Sequence, residues 1–301
     1  MNAAGSPFAS TFRRNPRSRA AVHAALIILS VVFAFPLLWM LSTSLKPIDE
    51  VMVTPPRFLP SHLNWRNYGE AIAYIPFWRY TANTFISCTL AALGTTLSSA
   101  LCAYSFTRLE WPGRDLFFGL TLAAIMIPFP VVMVPLYGVY KVLGWTGTLK
   151  PLWVPPAFGT AFNIFLLRQF FQRIPKSLPE AMMLDGASEL AIFWRLYLPL
   201  SRAALAVVAF FQFTFTWNDL LAPLLFLTDQ HTFNLPIGLD FYRGRLGGTQ
   251  WHYLMAASFL TTVPLIAMFF GLQRWFLRGP RQSAPVQPAP GAPVSAPAVA
   301  R

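Results

Sequence analysis

Charged side chains are scarce in this sequence. Asp, Glu, Lys and Arg make up 11% of its 301 residues, against about 25% in ordinary soluble domains. Hydrophobic residues make up 55%, and the mean hydropathy is +0.49. A soluble fold would leave much of this apolar surface in water, and a disordered chain has the opposite composition. The composition therefore predicts a membrane protein.

Residues that carry enzyme and metal chemistry are also sparse. The two cysteines, Cys88 and Cys102, lie in one apolar run, and no two of the four histidines stand at metal-ligand spacing. The sequence has neither a phosphate-binding G-x-x-x-x-G-K-[ST] loop nor a G-x-S-x-G nucleophile elbow. We therefore expect no catalytic residues, no metal site and no cofactor bound by this chain. Any ATP hydrolysis linked to it needs a separate subunit.

Six stretches are long and apolar enough to cross the bilayer core as helices, which takes roughly 20 residues for about 30 Å. The first follows several arginines but has a long apolar core and no small-residue cleavage site, which indicates an uncleaved anchor. We predict an all-α fold, a polytopic membrane protein with six transmembrane helices near Ala21–Ser44, Ala82–Phe106, Leu116–Val139, Leu152–Phe171, Ala203–Leu227 and Leu254–Leu277.

The 23 Lys and Arg residues outnumber the 11 Asp and Glu residues, a balance that taken alone suggests nucleic acid. With a cytoplasmic N-terminus, however, most basic residues fall on the cytoplasmic side, and the positive-inside rule places both termini there. We therefore expect a lipid bilayer and not nucleic acid as the partner. The predicted parts are a basic N-terminus at 1–20, the six-helix domain at 21–278 and a disordered Pro/Ala-rich tail at 279–301.

The most informative segment is Arg173–Pro199, on the cytoplasmic side between the fourth and fifth predicted spans. Ser177 followed three residues later by Glu180 forms a capping-box pattern, with Pro179 in the first turn, where its missing N–H costs nothing. A short helix is therefore expected to begin at this point.

The second half of this segment predicts a turn and another helix. Gly186 after Asp185 is typical of a helix stop, and Ser188 suits the N-cap of a helix that ends before Pro199. The resulting helix–turn–helix has two interpretations: docking in a protein groove, or an amphipathic connector on lipid headgroups. The face expected to be exposed consists of Ala181, Met182, Leu184 and Ala187.

The same segment resembles the EAA loop of ABC-importer permeases. Glu180-Ala181 is followed by Gly186 and then by Leu196-x-Leu198-Pro199. Met182 stands where that loop usually has alanine, and Leu196 where it usually has isoleucine. Further pieces resemble the carbohydrate-uptake branch of the family, in the same order along the chain: Pro36-Leu-Leu-Trp-Met, Ser44-Leu-Lys-Pro47, Asn67-Tyr68, Asn83-Thr84, Ala103-Tyr-Ser-Phe-Thr-Arg108, Trp111-Pro-Gly-Arg114, Met126-Ile-Pro128, Leu143-Gly144, Leu167-Arg-Gln-Phe-Phe171, Trp217-Asn-Asp219 and Gln273-Arg274.

This resemblance implies one permease subunit of a heteromeric importer in a bacterial or archaeal plasma membrane. Such an importer pairs this chain with a second permease subunit as a heterodimer, on two ATPase subunits that bind ATP and Mg. An external solute-binding protein delivers a sugar or related solute, with glycerol phosphate or another polyol derivative still open. The resemblance makes the helix–turn–helix a coupling loop that docks on the ATPase through Glu180, Ala181, Met182, Leu184, Asp185 and Gly186.

Asp219 is the one clear acidic residue within a predicted span. Intramembrane carboxylates usually face the bundle interior and are functional, although a structural hydrogen bond by Asn218 or Asp219 explains the sequence equally well. The candidates for the substrate path are Phe213, Trp217, Asn218 and Asp219. The alternative function is an ion-coupled secondary transporter of a small polar solute, a class that favours several buried carboxylates and inverted repeats.

Overall fold

The computed structural model describes residues 16–244 and 248–277, which form helices joined by loops. The predicted N-terminal segment 1–20 lies mostly outside the described residues, and the predicted tail at 279–301 lies entirely outside them. The α-helices are α1 Pro16–Ser44, α2 Ile48–Val51, α3 Arg66–Tyr74, α4 Phe77–Arg108, α5 Arg114–Ala124, α6 Phe129–Val142, α7 Lys150–Ala157, α8 Ala161–Phe171, α9 Ser177–Leu184, α10 Glu189–Ile192, α11 Leu198–Leu200, α12 Arg202–Asn218, α13 Leu221–Phe226, α14 Leu235–Asp240 and α15 Trp251–Leu277.

Three helices in the described part of the chain, α1, α4 and α15, are each long and apolar enough to cross a membrane. Two pairs of helices pass the same test together although each pair is sharply bent, by 101° between α5 and α6 and by 79° before α12. Length and composition thus support three to five spans. The count of six remains a prediction.

The prolines explain where the third predicted span departs from one straight helix. The break lies between Ala124 and Phe129, with Pro128 in extended conformation and Pro130 in the first turn of α6. Proline has no N–H to donate, and in a helix its ring clashes with the carbonyl four residues earlier. A helix therefore ends or bends at a proline. The third predicted span, Leu116–Val139, is therefore divided between α5 and α6.

The fourth and fifth predicted spans are also interrupted. The fourth, Leu152–Phe171, is divided between α7 and α8 by Gly159, whose φ of +98° lies in the left-handed region. In the fifth, α12 ends at Asn218 and α13 begins at Leu221, so no single helix continues to Leu227.

The central helix is α4, which packs against α7, α8 and α12. Its buried face is rich in small residues, which allow backbones to approach closely in a membrane, where packing rather than the hydrophobic effect drives association. Gly94 marks the tightest approach: a Cβ built there would lie 2.5 Å from Ala157 Cβ. The small or polar buried residues of α4 are Thr84, Ser87, Cys88, Ala91, Ala92, Thr95, Ser99, Ala100 and Ala103.

Hydroxyl groups on α4 form hydrogen bonds with the free backbone groups at the end of α7. The Thr95 hydroxyl donates to the Pro156 carbonyl at 2.6 Å, and the Ser98 hydroxyl donates to the Ala157 carbonyl at 2.5 Å. Ser99 Oγ accepts from the Thr160 amide at 3.3 Å. Backbone groups freed by a helix break need such partners, because the bilayer core supplies no water.

Near its N-terminal end, α4 holds the segment that leads to α14. The Asn83 side-chain amide donates to the carbonyls of His231 and Phe233, both at 2.9 Å, and Thr84 Oγ1 accepts from the Leu235 amide at 2.9 Å. The loop after α1 is packed as well, since the side-chain amide of Asn67 donates to the Ser44 and Lys46 carbonyls, both at 2.8 Å.

The contact at Gly94 gives a stability prediction. Gly94→Ala places a methyl group against Ala157, so we expect a lower melting temperature of the detergent-solubilised protein, corresponding to about 1–3 kcal/mol of overpacking. Gly119→Ala is the matched control, because a Cβ at helical Gly119 meets nothing within 4 Å. Equal melting temperatures for the two variants would contradict the close packing of α4 and α7.

Candidate functional site

The loop at 173–199 begins with α9, and its N-terminus differs from the predicted capping box. Lys176 already has helical dihedral angles, so Ser177 is the first helical residue rather than the N-cap, and no side-chain cap bond forms. The prediction was wrong because an N-cap residue needs non-helical dihedral angles to turn its oxygen toward the next amides. Pro179 lies in the first turn, as expected, and is buried.

The turn after α9 is the one the sequence predicted. Gly186 has a φ of +80°, and its amide donates to the Met183 carbonyl at 3.0 Å. The Ala187 amide donates to the Met182 carbonyl at 2.9 Å, which completes a Schellman motif. Ser188 is the N-cap of α10, its hydroxyl oxygen accepting from the Ala191 amide at 3.3 Å. The turn is therefore fixed at both helix ends.

The second helical segment extends beyond the predicted end. After α10 the chain continues through a π-turn, Phe193–Tyr197, and then α11, so it passes Pro199 and bends at Ser201. The prediction that the helix ends before Pro199 was wrong. The wider π-turn, in which the Leu198 amide donates to the Phe193 carbonyl, lies just before Pro199. In a regular α-helix the ring of Pro199 would clash with the carbonyl four residues earlier, and the wider turn makes room for it.

The exposed face of the loop differs in part from the predicted set. Leu184 is 90% exposed and Ala181 is exposed, as expected. Met182 and Ala187 are half-buried, because they pack against the cluster beneath the loop that contains Leu167 and Phe171. The sequence interpretation also missed an apolar residue next to Leu184, namely Met183, which is 48% exposed.

The acidic candidates of the loop face outward. Glu180 and Asp185 are exposed, and within the part of the chain that the structure describes neither forms an ion pair. They flank Leu184 along the chain at the end of α9. The loop therefore presents an apolar tip between two free carboxylates.

Sequence reasoning missed the polar contact beneath the loop. The Tyr104 hydroxyl of α4 donates to the Glu189 carboxylate, and an Arg108 guanidinium nitrogen lies 3.9 Å from the same carboxylate. Arg108 belongs to a piece of the family resemblance, but Glu189 was not among the residues singled out from the sequence. The signal available was charge alone: one basic residue ends α4 and one acidic residue begins α10.

The substrate-path candidates fall into two groups. Trp217 and Asn218 line a cavity of about 410 Å³, whereas Phe213 and Asp219 do not. Phe213 stacks on Trp217 at 5.5 Å inside the buried cluster. Asp219 Oδ1 accepts from the Ala222 amide at 3.3 Å, so this carboxylate caps α13.

The cavity combines aromatic and hydrogen-bonding groups. Trp217 and Trp251 form part of its wall, together with Ser258 and an ion pair between Asp240 and Arg243 at 3.8 Å. Flat apolar rings beside hydrogen-bonding groups suit a hydroxylated solute, because such a solute has apolar C–H faces and polar edges. The opposite charges of the ion pair leave this wall without a net charge.

Comparison with known proteins identifies the class of this fold. The chain belongs to the family described as binding-protein-dependent transport system inner membrane component, whose profile matches residues 95–282. It is similar to the osmoprotective compounds uptake permease protein GgtD of Synechocystis sp., with 33% identity over 86% of this chain and 89% of the relative. It is equally similar to the diacetylchitobiose uptake system permease protein NgcG of Streptomyces coelicolor, with 33% identity and 86% of both chains covered.

The fold also matches a solved structure. A chain in the crystal structure of a bacterial ABC transporter involved in the import of the acidic polysaccharide alginate superposes with a TM-score of 0.75, at 23% identity, over 87% of this chain and 98% of that chain. This similarity confirms the predicted all-α permease fold.

Family membership settles the class of activity. The chain is an inner membrane component of an ABC importer, a transport subunit and not an enzyme, in a system that carries its ATPase on a separate subunit. The alternative of an ion-coupled secondary transporter is therefore not supported.

The Gly186 turn gives the second prediction. Gly186→Val forces a β-branched residue to a φ of +80°, at a cost of about 1–2 kcal/mol, and we expect faster hydrogen–deuterium exchange of the amides at 183–192. Gly186→Asn is the control, because asparagine tolerates the left-handed region. Exchange in Gly186→Val as slow as in the unmodified protein would show that the turn does not depend on this conformation.

Proposed function

We propose that the loop at 173–199 docks on a separate ATPase subunit and that Leu184 is the centre of the contact. The observation that carries this proposal is the 90% exposure of Leu184 at the end of a helix whose turn is fixed by Gly186 and Ser188. A rigid, exposed apolar tip is the form of helix that enters a groove.

The residues around Leu184 define the groove that would accept it. Met183 adds an adaptable apolar contact, and the free carboxylates of Glu180 and Asp185 match basic side chains or backbone amides at the rim. The small side chain of Ala181 allows close approach. Met182 packs on the cluster beneath the loop and so holds α9 in place. Gly186 sets the turn.

The assembly follows from this docking. Two ATPase subunits bind ATP and Mg, this chain pairs with a second permease subunit, and an external solute-binding protein delivers the solute. Both termini are cytoplasmic, on the side of the loop. ATP binding supplies the free energy that shifts the population of the spans, and the spans respond by rigid-body rotation.

We further propose that the solute is a sugar or a neutral polyol, which passes the cavity walled by Trp217 and Asn218. The relatives named for osmoprotective compounds and diacetylchitobiose support this class, as does the neutral cavity wall formed with Asp240 and Arg243. Phe213 supports Trp217 by stacking on it, and Asp219 caps the first turn of α13.

Leu184→Lys tests the docking. A lysine at the tip cannot enter an apolar groove with a basic rim. We therefore expect the amount of ATPase that co-purifies with the permease to fall about tenfold or more. On lipid headgroups a lysine would instead extend its charge to the surface and be tolerated. Co-purification of the ATPase at the unmodified ratio would therefore favour the lipid-connector interpretation over docking.

The matched control for this experiment is Leu59→Lys. Leu59 is an exposed leucine of the loop after α1, on the side opposite to the docking loop in the proposed topology. We expect this variant to keep the ATPase. Loss of the ATPase in both variants would mean that the effect is one of membrane insertion rather than of docking.

Asn218→Leu tests the substrate path. Proteoliposomes containing the whole complex and its binding protein are offered radiolabelled diacetylchitobiose, maltose and sn-glycerol 3-phosphate, and we expect uptake of a neutral sugar. The variant replaces a hydrogen-bonding group of the cavity, so sugar uptake is expected to fall about fivefold or more, while the control Gln230→Leu is unaffected. The proposed solute class would be contradicted if the unmodified complex took up only sn-glycerol 3-phosphate, or if it took up none of the three solutes.

A further inference from the structure

Three side chains connect the docking loop to the cytoplasmic end of α4. Tyr104 donates its hydroxyl to the Glu189 carboxylate, Arg108 lies 3.9 Å from that carboxylate, and an Arg108 nitrogen also contacts Met183 Sδ at 2.8 Å. Both halves of the loop, α9 through Met183 and α10 through Glu189, are thus linked to one turn of α4. We call Tyr104, Arg108 and Glu189 the polar bridge.

The charges of the polar bridge suit the helix ends that carry them. Arg108 lies in the last turn of α4 and Glu189 in the first turn of α10, where each complements the dipole of its own helix. The Arg108 side chain is 19% exposed and that of Glu189 41% exposed. Because Arg108 is largely shielded from water, its attraction to Glu189 is screened less than in a surface pair.

Aromatic packing holds the Tyr104 ring in the direction that the hydrogen bond requires. The ring packs edge-on against Phe193 at 5.3 Å and Tyr197 at 4.8 Å, and Tyr197 packs against Phe171 of α8 at 5.2 Å. All four rings are buried. The polar bridge is therefore the rim of a rigid cluster that joins α4, α8 and the loop.

The loop needs such a link to transmit a force. Helices α9 and α10 have 8 and 4 residues, too short to be stable without tertiary contacts. The covalent path onward from the loop bends by 79° at Ser201, so a displacement of the loop can be taken up there as a change of angle.

We propose that the polar bridge makes the docking loop and α4 move as one body, so that ATP-driven displacement of the loop tilts α4. This inference rests on the proposed docking of the loop on an ATPase. Tyr104, Arg108 and Glu189 are positioning residues, because they contact neither nucleotide nor solute and act through the placement of the loop.

The test measures ATP hydrolysis by the whole complex in liposomes, with Mg and ATP and without the binding protein. In an intact complex the spans resist closure of the ATPase through the bridge, so hydrolysis is slow. Tyr104→Phe removes the hydroxyl that donates to Glu189, and Glu189→Gln removes the charge that both Tyr104 and Arg108 contact. We expect hydrolysis per assembled complex to rise about fivefold in each variant. The double variant is expected to rise by less than the sum of the two single effects, because both variants weaken the same Tyr104–Glu189 bond.

This readout separates positioning from support of the fold. A purely structural role would leave hydrolysis per complex unchanged or lower it, and either result would overturn the proposal, as would additive effects in the double variant. The controls are Glu110→Gln, an exposed carboxylate just beyond α4, and Tyr140→Phe, a buried tyrosine of α6. A rise in hydrolysis in these controls equal to that in the bridge variants would also overturn it.

Failure of this inference is distinguishable from failure of the docking proposal. If the loop does not dock, Leu184→Lys keeps the ATPase on purification. If docking is correct but the polar bridge does not transmit motion, Leu184→Lys loses the ATPase while Tyr104→Phe and Glu189→Gln hydrolyse ATP at the unmodified rate.

Discussion

Backbone groups cannot remain unpaired in a bilayer core, and this constraint explains why α4 is the centre of the structure. The prolines and Gly159 that interrupt the neighbouring helices expose carbonyls and amides, and the hydroxyls of Thr95, Ser98 and Ser99 pair with them. Small residues on the buried face of a helix allow neighbouring helices to pack closely. Hydroxyl groups on the same face can form hydrogen bonds with the free backbone groups of those neighbours. An apolar helix of the same length would leave the broken helix α7 unpaired.

The same helix connects the two sides of the protein. Near its N-terminus Asn83 and Thr84 hold the segment beside the cavity, and near its C-terminus Tyr104 and Arg108 hold the loop at 173–199. Thr84 and Tyr104 are 20 residues apart on this helix, so these contacts are separated by roughly 30 Å at 1.5 Å per residue. On the proposed docking, a tilt of α4 therefore reaches both the ATPase and the cavity without a chain of intermediate rearrangements.

The sequence predicted the features that depend on local chemistry. Gly186 defines the turn by its backbone freedom and Ser188 defines the cap by its own hydroxyl, and the apolar runs located the long helices. The sequence did not predict what depends on tertiary packing. Met182 turns inward because a cluster lies beneath it, the helix continues past Pro199 because a π-turn makes room, and Asp219 serves as a cap because α12 ends at Asn218. Glu189 was missed because its partner lies 81 residues earlier in the chain, at Arg108.

Transmission of motion also requires places where the chain is free to bend. The bends of 101° between α5 and α6 and of 79° at Ser201 lie outside the unit formed by α4, α8 and the loop. On the proposed mechanism these bends absorb the difference in angle when the unit tilts, and the packed contacts inside it do not change. The scarcity of charge then has a mechanical consequence. With few ion pairs to break or form, the motion costs little electrostatic energy, and the Arg108–Glu189 pair stays within the moving unit rather than across its boundary.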